Sequence, residues 1–396
     1  MKPAHKIKIQ DWMKAPQTRA VMNALNKGAA EPQALFVGGC VRNALLGEAV
    51  GDIDIATVLT PDAVTQKLEA AGIKVIPTGL DHGTVTAALD GRSFEITTLR
   101  KDVSTDGRRA TVAFTTDWRE DAQRRDFTIN TLLMDEDGQV FDPLGQALRD
   151  INPPRIVFVG DPAQRIAEDY LRILRFFRFH AWYGDEEMEE DALKAIAAAA
   201  DKIATLSKER ITQEFFKLLA APDPAPALKA MFDAGVLKSL APAPEVYGAL
   251  SRLCALQNQH GQSLAARLYS LGGKCAEFMI LPKVLQAQIK AINEVLAMPA
   301  LETDHGIKVA LYRQGREAAI QALMILQAQE KIAPTAFSQN LKTAQEWNIP
   351  VFPITGDDLI AQGYQPGPAL GEKLKTLEQE WIENGFAMTV WPLRGV

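Results

Sequence analysis

Asp52 and Asp54 are the pair whose spacing most plainly permits chemistry. In an extended chain they project to one side while Ile53 and Ile55 project to the other, so two carboxylates converge and two isoleucines anchor them in a core. Upstream, residues 34–37 form a short apolar run stopped by Gly38-Gly39, and residues 40–46 have helical spacing before Gly47. That pattern predicts strand, tight turn and short helix. Adjacent glycines let backbone N–H groups come close to an anion, a helix N-terminus adds partial positive charge, and Arg42 in the first turn adds a planar cation. A polyphosphate suits such a cradle, with Gly39 and Arg42 among its contacts. Paired carboxylates beside a triphosphate suit divalent metal, two ions clamping the attacking and leaving oxygens of a phosphoryl displacement. Taken singly, an Asp-x-Asp is most often a strand end or turn, and a Gly-Gly only a turn. Their union in one strand, turn, helix and strand leaves few structural explanations.

The surrounding segments must hold these groups in place. Residues 84–89 and 92–99 are two extended segments joined by Asp90-Gly91, the strongest short hairpin signal. Alternation in the second puts Phe94, Ile96 and Thr98 on one face and Glu95 and Thr97 on the other. Glu95 is thereby a candidate third carboxylate, with an ordinary exposed strand glutamate as the alternative. Residues 18–27 read as an amphipathic helix packed on the sheet, residues 61–71 as a helix opened by Pro61, and residues 74–76 as a strand. Residues 100–118 are charged, lack periodicity and read as a mobile loop.

Further along, Asp161-Pro162 predicts a helix start that runs on to about residue 183, before Gly184. Its apolar side is Ile166, Tyr170, Ile173, Leu174, Phe177 and Ala181, and its other side carries Arg165, Glu168, Asp169, Arg172, Arg175 and Arg178. One reading is a solvated face laced with salt bridges. The arginines outnumber the acids, however, and the surplus calls for an anion. Asp169 and Arg172, one turn apart, can do something more specific: the carboxylate accepts from an exocyclic amine while the guanidinium donates to a neighbouring ring nitrogen. Cytosine and adenine offer that edge. Uracil and guanine present an oxygen to the carboxylate and are refused, because a mismatch leaves buried polar groups unpaired.

Several stretches carry a resemblance. The Gly38-Gly39-x-x-Arg42 turn with Asp52-x-Asp54 resembles the head of the polymerase-β-like nucleotidyltransferases. More narrowly, it resembles the class II tRNA nucleotidyltransferase (CCA-adding enzyme) and bacterial poly(A) polymerase family. Arg124-Arg125-Asp126-Phe127-Thr128-Ile129-Asn130-Thr131-Leu132 resembles the family's Arg-Arg-Asp signature, departing at Thr131, where alanine is commoner. In it Arg125 suits triphosphate or ribose oxygens, and Asp126 and Asn130 suit ribose hydroxyls. Glu168-Asp169-Tyr170-Leu171-Arg172 matches the E-D-x-x-R motif that selects CTP and ATP with protein in place of a template, and Arg175 and Arg178 stand where the family has further nucleotide-binding arginines. Ser207-Lys208-Glu209-Arg210-Ile211 resembles the last motif, a helix start that braces the nucleotide helix, with Arg210 and Glu214 structural. Asp81-His82-Gly83-Thr84 resembles CCA-adding members more than poly(A) polymerases, and a flexible loop at 100–118 is what supports the family's switch from cytidine to adenosine.

The resemblance implies an α+β fold: a head with a mixed sheet plus helices at 1–150, then an all-α neck at 151–222, body at 223–334 and tail at 335–396. It implies Mg²⁺ on Asp52 and Asp54, template-independent addition of CCA to the tRNA 3′ end from CTP and ATP, and a body and tail that grip tRNA. The tail includes Gly356-Asp357-Asp358-Leu359 and a glycine-rich turn at 365–371, expected as helix, turn and helix. A poly(A) polymerase, an enzyme adding only cytidine or only adenosine, and a non-catalytic RNA-binding relative stay open as alternatives.

Composition bounds these readings. A chain of 396 residues exceeds one compact core, so two to four domains are expected. With 47% hydrophobic and 23% charged residues it is ordinary globular material, and no apolar run is long enough to span a bilayer. The first residues lack the apolar core of a signal peptide, which makes the cytoplasm the expected location. Cys40, Cys254 and Cys275 are odd in number and lack zinc-ligand spacing, so reduced structural thiols and no zinc are expected. The histidines form no His-Asp dyad, which argues against a phosphohydrolase domain. A net charge of −6 argues against coating nucleic acid by bulk attraction and confines any RNA site to the arginine clusters at 100–125 and 155–178.

Overall fold

The computed structural model describes the chain except for residues 81–82, 107–108, 186, 273–277 and 388–396, and the side chains of 102–112 are also outside the description. The described chain divides into two compact units, 1–241 and 242–396. The first unit is built on an eight-stranded sheet. Its strands are β1 (His5–Lys6), β2 (Ala34–Val37), β3 (Ile53–Thr57), β4 (Lys74–Gly79), β5 (Thr84–Leu89), β6 (Arg92–Thr98), β9 (Leu133–Met134) and β10 (Gln139–Phe141). The order is β1-β10-β9-β2-β3-β6-β5-β4. Only β3 and β6 run parallel, which places Asp54 beside Glu95 in register. The sheet is therefore mixed, as the resemblance implies. The hairpin of β5 and β6 turns at Asp90 and Gly91, both at positive φ (46° and 77°), the handedness that matches strand twist.

One face of the sheet buries Leu35, Val37, Ala56, Leu99, Leu133 and Phe141 together. Four helices, α1 (Asp11–Lys14), α2 (Pro16–Asn26), α3 (Gly39–Leu46) and α4 (Pro61–Ala70), supply buried partners for the sheet, Val21, Leu25, Val64 and Leu68 among them. Residues 100–118 depart from the expected irregular loop. Here β7 (Arg100–Asp106) and β8 (Arg109–Phe114) pair antiparallel as a separate two-stranded sheet, followed by α5 (Trp118–Gln123). The signal was present in Asp106-Gly107 between segments rich in β-branched residues, but the heavy charge masked it.

After α6 (Ala147–Ile151) the chain becomes helical: α7 (Pro162–Glu168), α8 (Leu171–Tyr183), α9 (Glu190–Ala199), α10 (Lys208–Leu219) and α11 (Ala225–Asp233). The single helix expected from 161 to 183 is in fact two. Asp169 takes an extended conformation (φ −156°, ψ 106°), and its Oδ1 accepts from the N–H of Leu171, the first residue of α8, at 3.1 Å. Periodicity alone could not show this, because the apolar stripe continues across the break. Phe176 of α8 stacks on Phe158 (5.7 Å, 7°), and Phe127 lies against both Phe158 and Phe179, which fixes α8 to the segments around the sheet.

The second unit is all helix in its described residues. The central helix Arg316–Ala328 buries Ala319, Ala322, Leu323, Met324 and Ile325 against its neighbours. Gln257 and Gln321 pair inside it at 2.9 Å. Gly356–Ala361 and Pro368–Glu383 form the expected helix, turn and helix, held to the rest of the unit by Trp381, Tyr312 and Phe386 in mutual aromatic contact. No helix among the described residues is long and apolar enough to cross a membrane.

Candidate active site

The glycine turn forms as expected. Gly38, with φ 69° and ψ −123°, occupies a region open to glycine and precedes α3, and the Cys40 thiol ties that helix start down by donating to the carbonyls of Val37 (3.3 Å) and Asp54 (3.7 Å). Burial pushes this thiol up to about 11, so it stays protonated and structural, and Cys254 is likewise buried. Cys275 and the Asp81-His82 pair lie outside the described residues.

On β3, Ile53 and Ile55 are buried, Asp54 is half-buried and Asp52 just before the strand is exposed, as the alternation requires. Glu95 lies on the exposed face of β6 beside Asp54. The Asp54 carboxyl is pushed up to about 6, first by burial, then by the Glu95 charge and to a lesser degree by Asp52, with Arg125 opposing. No three His, Cys, Asp or Glu side chains among the described residues gather as a ready cation cage. What exists is a repelling carboxylate group, the donor set that a hard divalent cation shared with substrate phosphates would take. These residues fit such an ion.

Arg125 lies over the turn: its Nη1 is 3.6 Å from where a Cβ on Gly38 would sit. Asp121 holds it, accepting from its Nε and Nη2 at 3.2 and 2.9 Å, and also accepts from Arg124 Nε at 2.8 Å. Asp121 stands three and four residues before these arginines on α5, a helix-face spacing that would have revealed it. Arg42 is buried, 6% exposed. Its Nη1 donates to Asn130 Oδ1 at 2.7 Å, its Nη2 to Tyr183 Oη at 2.8 Å, and its Nε and Nη2 to Asn43 Oδ1.

Asp126 and Asn130 are buried too. Asp126 accepts from the Phe127 N–H and Asn130 Nδ2 with one oxygen, and from Arg175 Nε and Nη2 (2.7 and 2.5 Å) with the other. Burial would raise this carboxyl, but the Arg175 charge first, then the Asn130, Arg175 and Phe127 N–H bonds, outweigh it and hold it below the usual range.

The arginine surplus on the neck helices resolves differently from the expectation. Arg165 and Arg172 both pair with Glu168 (2.6 Å for Arg172), Arg175 with Asp126, and Arg178 with Glu214 (2.6 Å), which also lies 3.7 Å from Arg175. Acids from other elements thus supply counter-charges that the helix itself lacks. The Arg172 N–H donates to the Asp169 carbonyl at 3.0 Å, but among the described residues the Asp169 carboxylate and the Arg172 guanidinium are not bonded to each other. Arg210 of α10 grips both oxygens of Asp169 (3.1 and 2.8 Å), and Arg172 Nη1 also donates to the Arg165 carbonyl. Within the described residues the Asp169 Oδ2 keeps one unused lone pair and no partner engages the Arg172 Nε, so both retain the capacity to meet a base edge.

The result is a closed circuit. Arg42 meets Asn130, Asn130 meets Asp126, Asp126 meets Arg175, Arg175 approaches Glu214, Glu214 holds Arg178, and the Arg42, Arg175 and Arg178 guanidiniums surround the Phe179 ring at 5.1, 5.4 and 4.3 Å. It joins the glycine turn to α8 and α10. Motif residues from distant segments meet here: 42, 126, 130, 175 and 178.

Residues 34–157 match the profile of the family described as "Poly A polymerase head domain", residues 187–247 that of "Probable RNA and SrmB- binding site of polymerase A", and residues 257–388 that of tRNA nucleotidyltransferase domain 2. The chain is 34% identical over 373 residues to the mitochondrial CCA tRNA nucleotidyltransferase 1 of Homo sapiens, covering 89% of this chain and 83% of that protein. It is 34% identical over 370 residues to the CCA-adding enzyme of Streptococcus sanguinis, covering 90% of each. The Bacillus stearothermophilus CCA-adding enzyme, solved in complex with CTP, superposes with a TM-score of 0.70 at 28% identity over 92% of both chains. A likeness that runs nearly end to end, on a head that carries both the paired carboxylates and the glycine turn, places the chain in the family of CCA-adding tRNA nucleotidyltransferases.

Proposed function

We propose that this chain adds cytidine, cytidine and adenosine to the 3′ end of tRNA, using CTP and ATP without a nucleic acid template and releasing pyrophosphate. The observation that carries the reading is the juxtaposition of Asp54 with Glu95 in register, Asp52 next to them, and Arg125 over the Gly38 turn. Dependence on a divalent metal goes with the family, and the reading assigns Mg²⁺, held by Asp52 and Asp54 with Glu95 alongside. Bound there, the ion supplies charge neutralisation at the reacting phosphate.

The chain's own residues do the remainder. The Gly39 N–H, the start of α3 and Arg125 receive the triphosphate, with Arg42 supporting them from beneath. Asp126 and Asn130 hold Arg175 and Arg42 at the nucleotide. Asp169 and Arg172 read the base edge, and Arg178 completes the positive wall of the site. The tRNA 3′-hydroxyl oxygen attacks the α-phosphorus, a new P–O bond forms, the bond to the pyrophosphate oxygen breaks, and the hydroxyl proton leaves toward the carboxylate group. Catalysis is mostly positioning and electrostatic complementarity. The reading keeps a head at 1–150 for chemistry, a neck at 151–222 for base choice, and a body and tail at 223–334 and 335–396 for tRNA, and it locates the reaction in the cytoplasm.

The test is one gel assay with purified protein, Mg²⁺ and a tRNA ending at its discriminator base. Two added residues with CTP, three with CTP and ATP, and none with UTP and GTP support the reading, and Asp54→Ala then removes all extension. Long tails from ATP alone make this a poly(A) polymerase, and growth that stops after CTP or needs a CC end makes it a partial enzyme.

A further inference from the structure

Among the guanidiniums of the circuit and within the described residues, Arg42 is the one that forms no direct ion pair, and the Asp126 charge reaches it only across Asn130. Arg175 has Asp126 and Glu214, and Arg178 has Glu214. Arg42 has Asn43, Asn130 and the Tyr183 hydroxyl, with the Tyr183 ring 4.0 Å and the Phe179 ring 5.1 Å from its central carbon. No ion pair to Arg42 exists among the described residues. A buried cation whose direct partners are neutral acceptors and π-faces, with a carboxylate acting on it only at a distance, is costly unless an outside anion completes it. Four of its N–H groups are engaged, and Nη2 lies 3.8 Å from where a Cβ on Gly39 would sit, directly under the turn. Tyr183 is the last residue of α8, outside every motif that the sequence offered, and its phenol and ring together clamp the guanidinium.

We propose that Tyr183 is a positioning residue for nucleotidyl transfer, holding Arg42 beneath the Gly38–Gly39 turn so that its charge, which forms no direct ion pair, is available to the triphosphate. Asn43 and Asn130 orient the guanidinium from the head side, and Tyr183 is its sole hydrogen-bond partner from the helical neck among the described residues. The phosphate cradle thereby depends on where the C-terminal end of α8 lies, while the base-reading residues sit at that helix's other end. This inference rests on the proposed nucleotide site, not on which nucleotide is added.

Tyr183→Phe keeps the ring and removes the hydroxyl, and Tyr183→Leu removes both. The full chain of each is compared with the unsubstituted protein for melting temperature, for binding of CTP, UTP and inorganic tripolyphosphate, and for KM and kcat in tRNA extension. Losing one hydrogen bond to a charged group predicts roughly tenfold weaker binding of CTP and of tripolyphosphate for Tyr183→Phe, a larger loss for Tyr183→Leu, an unchanged CTP-to-UTP preference and a raised nucleotide KM. Unchanged tripolyphosphate binding with a lower melting temperature would make Tyr183 merely structural and overturn the proposal. Weaker CTP with unaltered tripolyphosphate would move its action to the base and overturn it equally. Should the unsubstituted protein fail to extend tRNA, the functional reading falls, and the tripolyphosphate comparison still decides the role of Tyr183.

Discussion

Asp54 faces opposing demands. Its neighbours Ile53 and Ile55 draw the strand into the core, and that burial, with Glu95 beside it, pushes its carboxyl up to about 6 from an ordinary 3.8. The linkage sign follows from a raised pKa in the folded state. In metal-free protein the group's contribution to stability is fully present below about pH 3.8 and is lost as pH rises through about 6. At neutral pH a charged Asp54 strains the fold, and a cation held there, as proposed, would relieve that strain. Asp54→Asn is accordingly expected to abolish extension while raising the melting temperature of metal-free protein at pH 7.5. Added divalent metal should raise the melting temperature of the unsubstituted protein more at pH 7.5 than at pH 5.5, where the proton competes for the carboxylate. Thermal melts at the two pH values, with and without metal, check both statements. A metal shift equal at both would contradict them.

At the scale of elements, the neck helices owe their arrangement to acids that are remote in sequence. Glu214 of α10 is 5% exposed and serves Arg175 and Arg178 of α8 together. Glu214→Gln keeps the shape and removes the charge, leaving two arginines in a half-dry space. The expected cost is about 3 kcal/mol, read as a lower denaturant midpoint at unchanged slope. Loss of nucleotide affinity should accompany it, since Arg175 also anchors Asp126. The break at Asp169 belongs to the same logic. Leaving the helix lets this carboxylate accept from the Leu171 N–H at the start of α8 and meet Arg210.

For the whole molecule, the net charge of −6 keeps bulk attraction to RNA weak and makes tRNA binding depend on particular surfaces. The two compact units give a direct check on the proposed division of labour. A chain ending at residue 241 carries every proposed nucleotide contact and should retain a melting shift with CTP. It should lose tRNA affinity by about tenfold or more, as expected when one of two linked binding surfaces is removed. Filter binding and thermal melts of the shortened and full chains provide the comparison. Full tRNA affinity in the shortened chain would remove the second unit from the proposed RNA-binding role.

Much of this was legible in the residues themselves, because it rests on local rules. A period of two put Asp52, Asp54 and Glu95 on open faces opposite buried isoleucines and phenylalanines. Asp90-Gly91 set a hairpin, and Gly38 set a turn that other residues adopt only with strain. The family motifs named Arg125, Asp126, Asn130, Asp169 and Arg172 for the same reason, each being a short contiguous string. Contacts across long sequence separation were decided only by the tertiary structure: Arg42 with Asn130 and Tyr183, Asp126 with Arg175, Arg178 with Glu214, Asp169 with Arg210. Pairing of charges depends on which surfaces packing brings together, and nothing in the spacing along one helix records that. The break at Asp169 was hidden likewise, since its reason lies in an arginine forty-one residues away.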